Sequence, residues 1–168
     1  MEIFPPDGTK LSRQSAERVV WIATQNIDGL HQGAGSKNVI ELHGNLRHLI
    51  CTHCGYRHYW ETFADLPALP LCPDCRNVLR PDAVLYEEML PAGALELFDT
   101  EQNCGFDLVF SVGTTSLFHY VTQPIVDAVR RGITVIEINP DETPISHLAN
   151  FRFSQPAGQT MQALLAMI

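Results

Sequence analysis

The sequence predicts an α/β fold in which a small metal-binding module is inserted into a doubly wound parallel sheet. Three largely apolar runs, at residues 19–23, 107–112 and 133–138, have the length and β-branched composition of buried strands. Each run ends in small polar residues, and a helical pattern follows the second run. Strands that alternate with polar loops and helices are typical of parallel sheets, which bind ligands at the carboxyl ends of their strands.

Shorter elements complete this pattern along the chain. Gly132 is a suitable C-terminal stop for the helix that follows the second strand. The other predicted elements are a helix at residues 12–18, an extended segment at 38–42, a helix from Val121 or Pro124 to Arg131, a strand at 151–153 and a closing helix at 159–168.

The composition, 45% hydrophobic and 18% charged, is that of an ordinary globular domain. A formal net charge of −8 without a dense Lys/Arg cluster argues against nucleic-acid binding. The longest apolar runs are too short to span a bilayer, and no basic segment followed by an apolar stretch marks a secretory signal. We therefore expect a cytoplasmic protein that binds neither nucleic acid nor a membrane.

Four of the five cysteines form two C-x-x-C pairs separated by seventeen residues, a spacing typical of a zinc ribbon. Four thiolates in tetrahedral geometry close the coordination shell, so one structural zinc per chain is expected, and iron is an alternative for the same donors. The expected ligands are Cys51, Cys54, Cys72 and Cys75.

Residues 45–82, which hold these pairs with several aromatic residues and prolines, are predicted to form the zinc-ribbon module. Residues 1–44 and 83–168 are assigned to the α/β domain. Cys104 lies outside both pairs, and the simplest interpretation is a small apolar residue rather than a nucleophile.

Two polar motifs lie just ahead of the module: T-Q-N-I-D-G-L-H at residues 24–31 and E-L-H-G-N at 41–45. Either alone is most simply an ordinary polar turn. Together they place amides, a carboxylate and an imidazole within a short stretch. The His43 imidazole titrates near neutrality and can take a proton from a sugar hydroxyl. Gln25, Asn26 and Asp28 can hydrogen-bond a carboxamide, a ribose and a water.

These two motifs, followed by the cysteine pairs, resemble the sirtuin family of Sir2-type NAD-dependent protein-lysine deacylases. The resemblance implies a Rossmann-like NAD-binding domain and transfer of the lysine's acyl group to ADP-ribose with release of nicotinamide. It implies that His43 is the general base at the nicotinamide ribose and that Gln25 contacts that ribose. Asn26 and Asp28 would hold the ribose, the nicotinamide and the attacking water. The expected partner is an acyl-lysine protein or peptide.

Two further stretches extend the resemblance. Residues 80–88 are similar to the family's substrate-binding segment, with Val84 in the acyl-lysine tunnel and Leu85 and Tyr86 beside it. Glu87 stands where the family has a glycine, which leaves the shape of this loop and the acyl preference open. The cofactor contacts implied by the G-T-T loop and by the ends of later strands are Gly113, Thr114, Thr115, Asn139 and Ala157.

The resemblance lacks the family's upstream glycine-rich nucleotide loop, because only 23 residues precede Thr24. Residues 33–36, G-A-G-S, do not replace it, since no strand leads into them and no helical pattern follows. The nucleotide-binding domain is therefore predicted to be N-terminally incomplete. Residues 1–18 or a second chain would have to cover the exposed sheet.

The function implied by the resemblance is NAD-dependent protein-lysine deacylation. Two alternatives stay open: a catalytically weak or inactive sirtuin fragment that acts as a zinc-stabilised binding module for acyl-lysine or ADP-ribose, and a protein ADP-ribosyltransferase.

Overall fold

A computed structural model describes residues 19–167, so the helix predicted at residues 12–18 lies outside the described range. Within that range no helix is long and apolar enough to cross a bilayer. The strands are β1 (Trp21–Thr24), β2 (Asn38–Glu41), β3 (Gly44–Cys51), β4 (Arg57–Tyr59), β5 (Leu79–Ala83), β6 (Leu108–Val112), β7 (Thr134–Ile138) and β8 (Phe151–Phe153). The α-helices are α1 (Leu30–Gly33), α2 (Ala92–Cys104), α3 (His119–Arg130) and α4 (Ala157–Ala166), and short 3-10 helices span Phe63–Asp65 and Ser146–Leu148.

The predicted α/β class with parallel strands is confirmed. Strand β1 pairs in parallel with β2, and β7 lies between β6 and β8 in a second parallel sheet. In the described part of the chain, no ladder of hydrogen bonds joins the two sheets. They share two hydrophobic clusters instead. Ala23 of β1 and Val109 of β6 belong to one cluster, and Ile22 and Phe110 belong to the other.

Helix α3 covers the first of these clusters. It buries Val121, Ile125 and Ala128, which are spaced four and three residues apart and so lie on one face of the helix. The helix begins at His119 rather than at Val121 or Pro124, because Phe118 is extended and its carbonyl accepts from the backbone N–H groups of Val121 and Thr122. Pro124 therefore lies inside the helix rather than at its start.

Two other helices also differ from the sequence prediction. The closing helix α4 begins at Ala157, two residues earlier than expected, and is described to Ala166. Helix α2 was not predicted. Phe98 is its only buried residue, so the apolar periodicity that reveals an amphipathic helix is weak along this segment.

A three-stranded antiparallel sheet, in which β3 pairs with β4 on one side and β5 on the other, supports the cysteine pairs. Cys51 ends β3, and the other three cysteines lie in the connections between the strands. A separate core of Leu49, Cys51, Cys72 and Leu79 supports the sheet. Arg57 forms an ion pair with Asp82 across the sheet. The domain boundaries at residues 44 and 83 stay a prediction.

Strands β3 and β5 approach each other closely at Gly44. This residue pairs with Ala83 and has a φ of +75°, in the left-handed region that favours glycine. A Cβ atom on Gly44 would lie 2.0 Å from the carbonyl oxygen of Asp82. The backbones of the two strands can approach this closely only because residue 44 has no side chain.

We expect Gly44→Ala to lower the free energy of unfolding by more than about 2 kcal/mol, because left-handed strain and the clash with Asp82 add together. Urea denaturation followed by circular dichroism measures this. Gly132→Ala is the matched control, since Gly132 has a φ of +73° but a Cβ atom added there would have no neighbouring atom within 4 Å. Equal losses in the two variants would show that the clash contributes nothing.

Candidate functional site

The four cysteines of the C-x-x-C pairs converge, with all their Sγ atoms within 4.8 Å of one another. The sulfurs of Cys51 and Cys75 are 3.4 Å apart, and those of Cys54 and Cys72 are 3.5 Å apart. Zinc bound to four sulfurs at about 2.3 Å in a tetrahedron separates them by about 3.8 Å. The donor set therefore fits a structural zinc ion.

The two halves of this cluster have the same backbone turn. Gly55 donates to the carbonyl of Cys51 at 2.9 Å, and Arg76 donates to that of Cys72 at 3.0 Å. Both donors have a positive φ, +77° at Gly55 and +62° at Arg76. Each pair thus forms a tight knuckle, and the second knuckle keeps this conformation without a glycine.

Charge is distributed unevenly over the four thiols. The backbone N–H of Asn77, followed by its side-chain amide, lowers the pKa of Cys75 to about 6. The backbone N–H of Tyr56 acts in the same direction on Cys54, but desolvation and the other three thiols outweigh it and raise the pKa of Cys54 to about 12. Neighbouring thiolates repel one another, so a bound cation is needed for all four to ionise.

A second group of polar side chains lies where strands β1, β6 and β7 end. The Asn139 amide, just after β7, donates to the carbonyl of Thr114 at 2.8 Å. The Thr114 hydroxyl, just after β6, donates to Oε1 of Gln25 at 3.3 Å, and Gln25 directly follows β1. The structure therefore brings together three predicted cofactor-binding residues that are far apart in the sequence.

His43 is linked to this group through Tyr120. The Tyr120 hydroxyl lies 2.8 Å from Nε2 of His43 and 2.8 Å from Nε2 of Gln25. The phenol oxygen accepts from the Gln25 amide nitrogen, and it donates its own proton to His43 in the imidazole tautomer whose proton lies on Nδ1. The imidazole also hydrogen-bonds to the backbone of Gln25, an interaction that favours its protonated form.

Burial affects the pKa values of both rings. Desolvation lowers the pKa of His43, against the opposing hydrogen bond to the Gln25 backbone. Desolvation also raises the pKa of Tyr120, against the hydrogen bond from the Gln25 side chain. At neutral pH both shifts therefore favour a neutral imidazole and a protonated phenol.

Asn26 and Asp28, the other predicted site residues of the first polar motif, lie toward solvent. Asn26 is exposed, and its backbone N–H donates to the Thr24 hydroxyl at 3.0 Å. Asp28 is also exposed, and its Oδ1 accepts from the backbone of Leu30 at 3.0 Å, which fixes the turn into helix α1. These side chains lie beside Gln25 in the chain.

The other predicted cofactor residues lie at two places. Gly113 has a φ of +62° and donates its backbone N–H to Ile138 at 3.0 Å, so it closes the turn after β6, and Thr115 is exposed next to it. Ala157 begins helix α4 and packs against the second hydrophobic cluster.

The predicted substrate segment is adjacent to His43, since Val84 donates its backbone N–H to the His43 carbonyl at 2.9 Å. Leu85 is 57% exposed and Tyr86 is fully exposed. The extended backbone ends at Ala83, where β5 ends, and a turn at residues 86–87 follows it.

Glu87 keeps the backbone shape that a glycine would allow. Its φ is +70°, in the left-handed region. The neighbouring Glu88 holds the turn, because its carboxylate accepts from the Leu85 backbone at 3.0 Å and from Arg80 at 2.7 Å. These two contacts also lower the pKa of Glu88, with the Leu85 N–H as the larger cause.

Tyr120 was not found by sequence analysis. It lies in the first turn of α3, where no motif marks it, and its role depends on contacts with residues 77 and 95 positions away. The available signal was indirect. A helix that directly follows a polar strand-end loop points its first turn toward the other strand ends.

A model of the Sir2 family matches residues 9–119. NAD-dependent protein deacylase 1 of Archaeoglobus fulgidus is 38% identical over 144 residues, which are 86% of this chain and 58% of that protein. The NAD-dependent protein deacylase of Aquifex aeolicus is 38% identical over 157 residues, which are 91% of this chain and 64% of that protein. The chain spans about three fifths of the length of these relatives.

Solved structures of the same kind share the fold. A Sir2 homologue in complex with NAD superposes with a TM-score of 0.85 at 35% identity, over 96% of this chain and 62% of that chain. A complex of Sir2 with a p53 peptide and NAD+ gives a TM-score of 0.81 at 28% identity, over 96% of this chain and 69% of that chain.

We expect Cys72→Ser to abolish zinc binding and to lower the free energy of unfolding by more than about 3 kcal/mol, since zinc binding contributes directly to folding of such modules. Metal analysis of the purified protein and urea denaturation measure the two effects. Cys104→Ser is the matched control, because Cys104 is exposed and lies outside the cluster. Wild-type stability after complete metal removal would contradict a structural role for zinc.

Proposed function

Because this chain belongs to the Sir2 family, we propose that it carries the catalytic residues of an NAD-dependent protein-lysine deacylase. One observation carries the proposal: the hydrogen-bonded group of Gln25, Thr114, Tyr120 and His43 lies at the strand ends, and the Val84 segment is bonded directly to His43. A nucleotide sugar and an acyl-lysine can meet at such a place, because ligands of parallel sheets bind there.

In this proposal His43 is the general base. Its neutral Nε2 takes a proton from a hydroxyl of the nicotinamide ribose. Gln25, Asn26 and Asp28 hold the ribose, the nicotinamide and the attacking water. NAD as co-substrate supplies an anomeric carbon that the acyl oxygen attacks as nicotinamide leaves.

The proposed cofactor contacts away from the reacting atoms are Gly113, Thr114 and Thr115 for phosphate and ribose, Asn139 for the adenosine ribose and Ala157 near the adenine. The positive φ of Gly113 opens the backbone of that loop to close approach. The buried Asn139 and Thr114 are held by their mutual hydrogen bond. Zinc, held by the four cysteines, has no step in the reaction, since four sulfurs leave no open coordination position.

The proposed partner is an acyl-lysine peptide bound in extended form beside Val84, with Leu85 and Tyr86 exposed next to it. We also propose that a further strand or a second chain covers the edges of β1 and β6. Among residues 19–167, β1 pairs only with β2, and β6 pairs only with β7. A cytoplasmic location stays a prediction.

A second candidate function is binding of acyl-lysine or ADP-ribose without turnover. It is favoured by the strand-end group of Gln25 and Thr114, which offers hydrogen bonds to a ribose whether or not a reaction follows. Release of nicotinamide distinguishes the two candidates.

We expect the purified chain to release nicotinamide from NAD in the presence of an acetyl-lysine peptide. His43→Ala should lower that rate by about 10²- to 10⁴-fold, the usual contribution of a positioned base. Chromatographic measurement of nicotinamide and of deacetylated peptide tests this. His48→Ala is the matched control, because His48 is an exposed histidine on β3 outside the site.

Each other outcome has a distinct meaning. Peptide-independent labelling of protein by radioactive NAD would indicate ADP-ribosyl transfer. Binding of ADP-ribose without nicotinamide release would support the second candidate. Near-wild-type activity in His43→Ala would show that another group is the base.

On the acid side of the pH profile, kcat/KM should fall as His43 becomes protonated. Since burial lowers its pKa below the ordinary value of about 6.5, more than half of the maximal kcat/KM should remain at pH 6.5, and the rate should fall about tenfold per pH unit further down. Steady-state kinetics with a peptide that does not titrate in this range measures the profile. A midpoint above 6.5 would contradict the direction of this shift.

A further inference from the structure

The Tyr120 hydroxyl is hydrogen-bonded to Nε2 of His43, the atom that accepts the proton if His43 is the base. The hydroxyl lies 2.8 Å from Nε2, and it donates to that nitrogen in the tautomer whose ring proton lies on Nδ1. A neutral imidazole has one lone pair in the plane of its ring. While the phenol donates to this lone pair, no other hydroxyl can transfer a proton to it.

We propose that Tyr120 is a placeholder for the substrate hydroxyl. Its hydroxyl is hydrogen-bonded to Nε2 of His43 and must leave that nitrogen before a sugar hydroxyl binds there. This inference rests on the proposed function for the identity of the ligand, but the contact itself lies entirely within the described chain. Tyr120 is a positioning residue in this proposal, because it acts on the base and takes no part in proton transfer.

The surroundings of Tyr120 support exchange rather than a permanent contact. The residue is half-buried, so its phenol has solvent to move toward. Its ring stacks on that of Phe118 at a centroid distance of 5.6 Å and an interplanar angle of 18°, and Phe118 is 55% exposed. The contact to His43 is at the ring edge, with centroids 6.1 Å apart and an angle of 67°.

Gln25 keeps the His43 imidazole oriented when the Tyr120 phenol leaves. Thr114 holds its side chain through Oε1, and its backbone hydrogen-bonds the imidazole. A sugar hydroxyl that replaces the phenol at Nε2 therefore finds the ring already oriented. The same replacement frees the Gln25 amide nitrogen, which can then donate to the ribose.

The first arm of the test needs no substrate. Diethyl pyrocarbonate reacts with the free lone pair of a neutral imidazole, and mass spectrometry resolves the modified peptide. Tyr120→Phe, which keeps the ring and removes the hydroxyl, should make modification of His43 about three- to tenfold faster, in line with the loss of one neutral hydrogen bond. An unchanged rate would overturn the proposal.

Tyr59→Phe is the matched control for this arm. Tyr59 also lies beside a histidine, with its ring centroid 5.2 Å from that of His48, but on β4 and outside the site. The control should leave the modification rate of His43 unchanged. Equal acceleration in both variants would also overturn the proposal, because it would reflect general loosening.

The second arm measures exchange by calorimetry and steady-state kinetics. Tyr120→Phe should bind ADP-ribose about three- to tenfold more tightly, with a matching fall in the KM for NAD and a kcat within about twofold of wild type. A kcat at least tenfold lower with unchanged ADP-ribose affinity would overturn the proposal, since the phenol would then relay the proton. If neither protein bound ADP-ribose or NAD, the proposed function would fail, while the first arm would still decide whether the phenol blocks Nε2.

Discussion

The close backbone approach between Gly44 and the Asp82–Ala83 peptide determines much of the geometry of this molecule. Strand β3 leads from Gly44 to the first metal-binding knuckle, and β5 returns from the second knuckle to Ala83. The next residue out of β5 is Val84, which hydrogen-bonds the carbonyl of His43. His43 and the proposed substrate segment are therefore adjacent because the two strands of the metal module are paired where they leave it. A zinc ion bound by the four cysteines closes the loop between these strands and limits the conformations open to the chain.

A second constraint is the alignment of the strand ends of the two separate parallel sheets. No hydrogen-bonded ladder joins β1 to β6 in residues 19–167, yet the polar residues at their carboxyl ends are linked by the Thr114–Gln25 hydrogen bond. A network of hydrogen bonds to the buried Glu137 side chain fixes the end of β7. Buried Glu137 accepts from Thr143 and Ser146 at 2.5 and 2.6 Å and from Arg152 at 3.1 Å, so its charge is matched by an ion pair and two hydroxyl donors. This network holds the loop after β7, where Asn139 contacts Thr114. Side-chain hydrogen bonds thus align strand ends that the backbone alone does not connect.

The sequence was sufficient for the features that depend on local pattern. The buried strands were predicted from apolar runs and the metal cluster from cysteine spacing, while the role of His43 as the base stays a prediction from its motif. The sequence was insufficient where a feature depends on contacts between residues far apart in the chain, or where the apolar periodicity of a segment is weak. Helix α2 buries only Phe98 and shows little periodicity. The substrate segment turns at residues 86–87 because Glu88 bonds Arg80 and Leu85, contacts that no spacing rule shows. The contacts of Tyr120 with Gln25 and His43 depend on the packing of α3 near the end of β1, which the sequence alone does not show.

The contact between Tyr120 and His43 shows how stability and function compete at one atom. A half-buried imidazole without a hydrogen-bond partner on Nε2 would be costly, because burial removes water from a polar group. The phenol is the hydrogen-bond partner of that nitrogen and itself accepts from Gln25. In the proposed enzyme the same contact works against ligand binding, since a sugar hydroxyl that reaches Nε2 must first replace the phenol. The contact at Nε2 then contributes to the affinity for the nucleotide sugar only the difference between two similar hydrogen bonds.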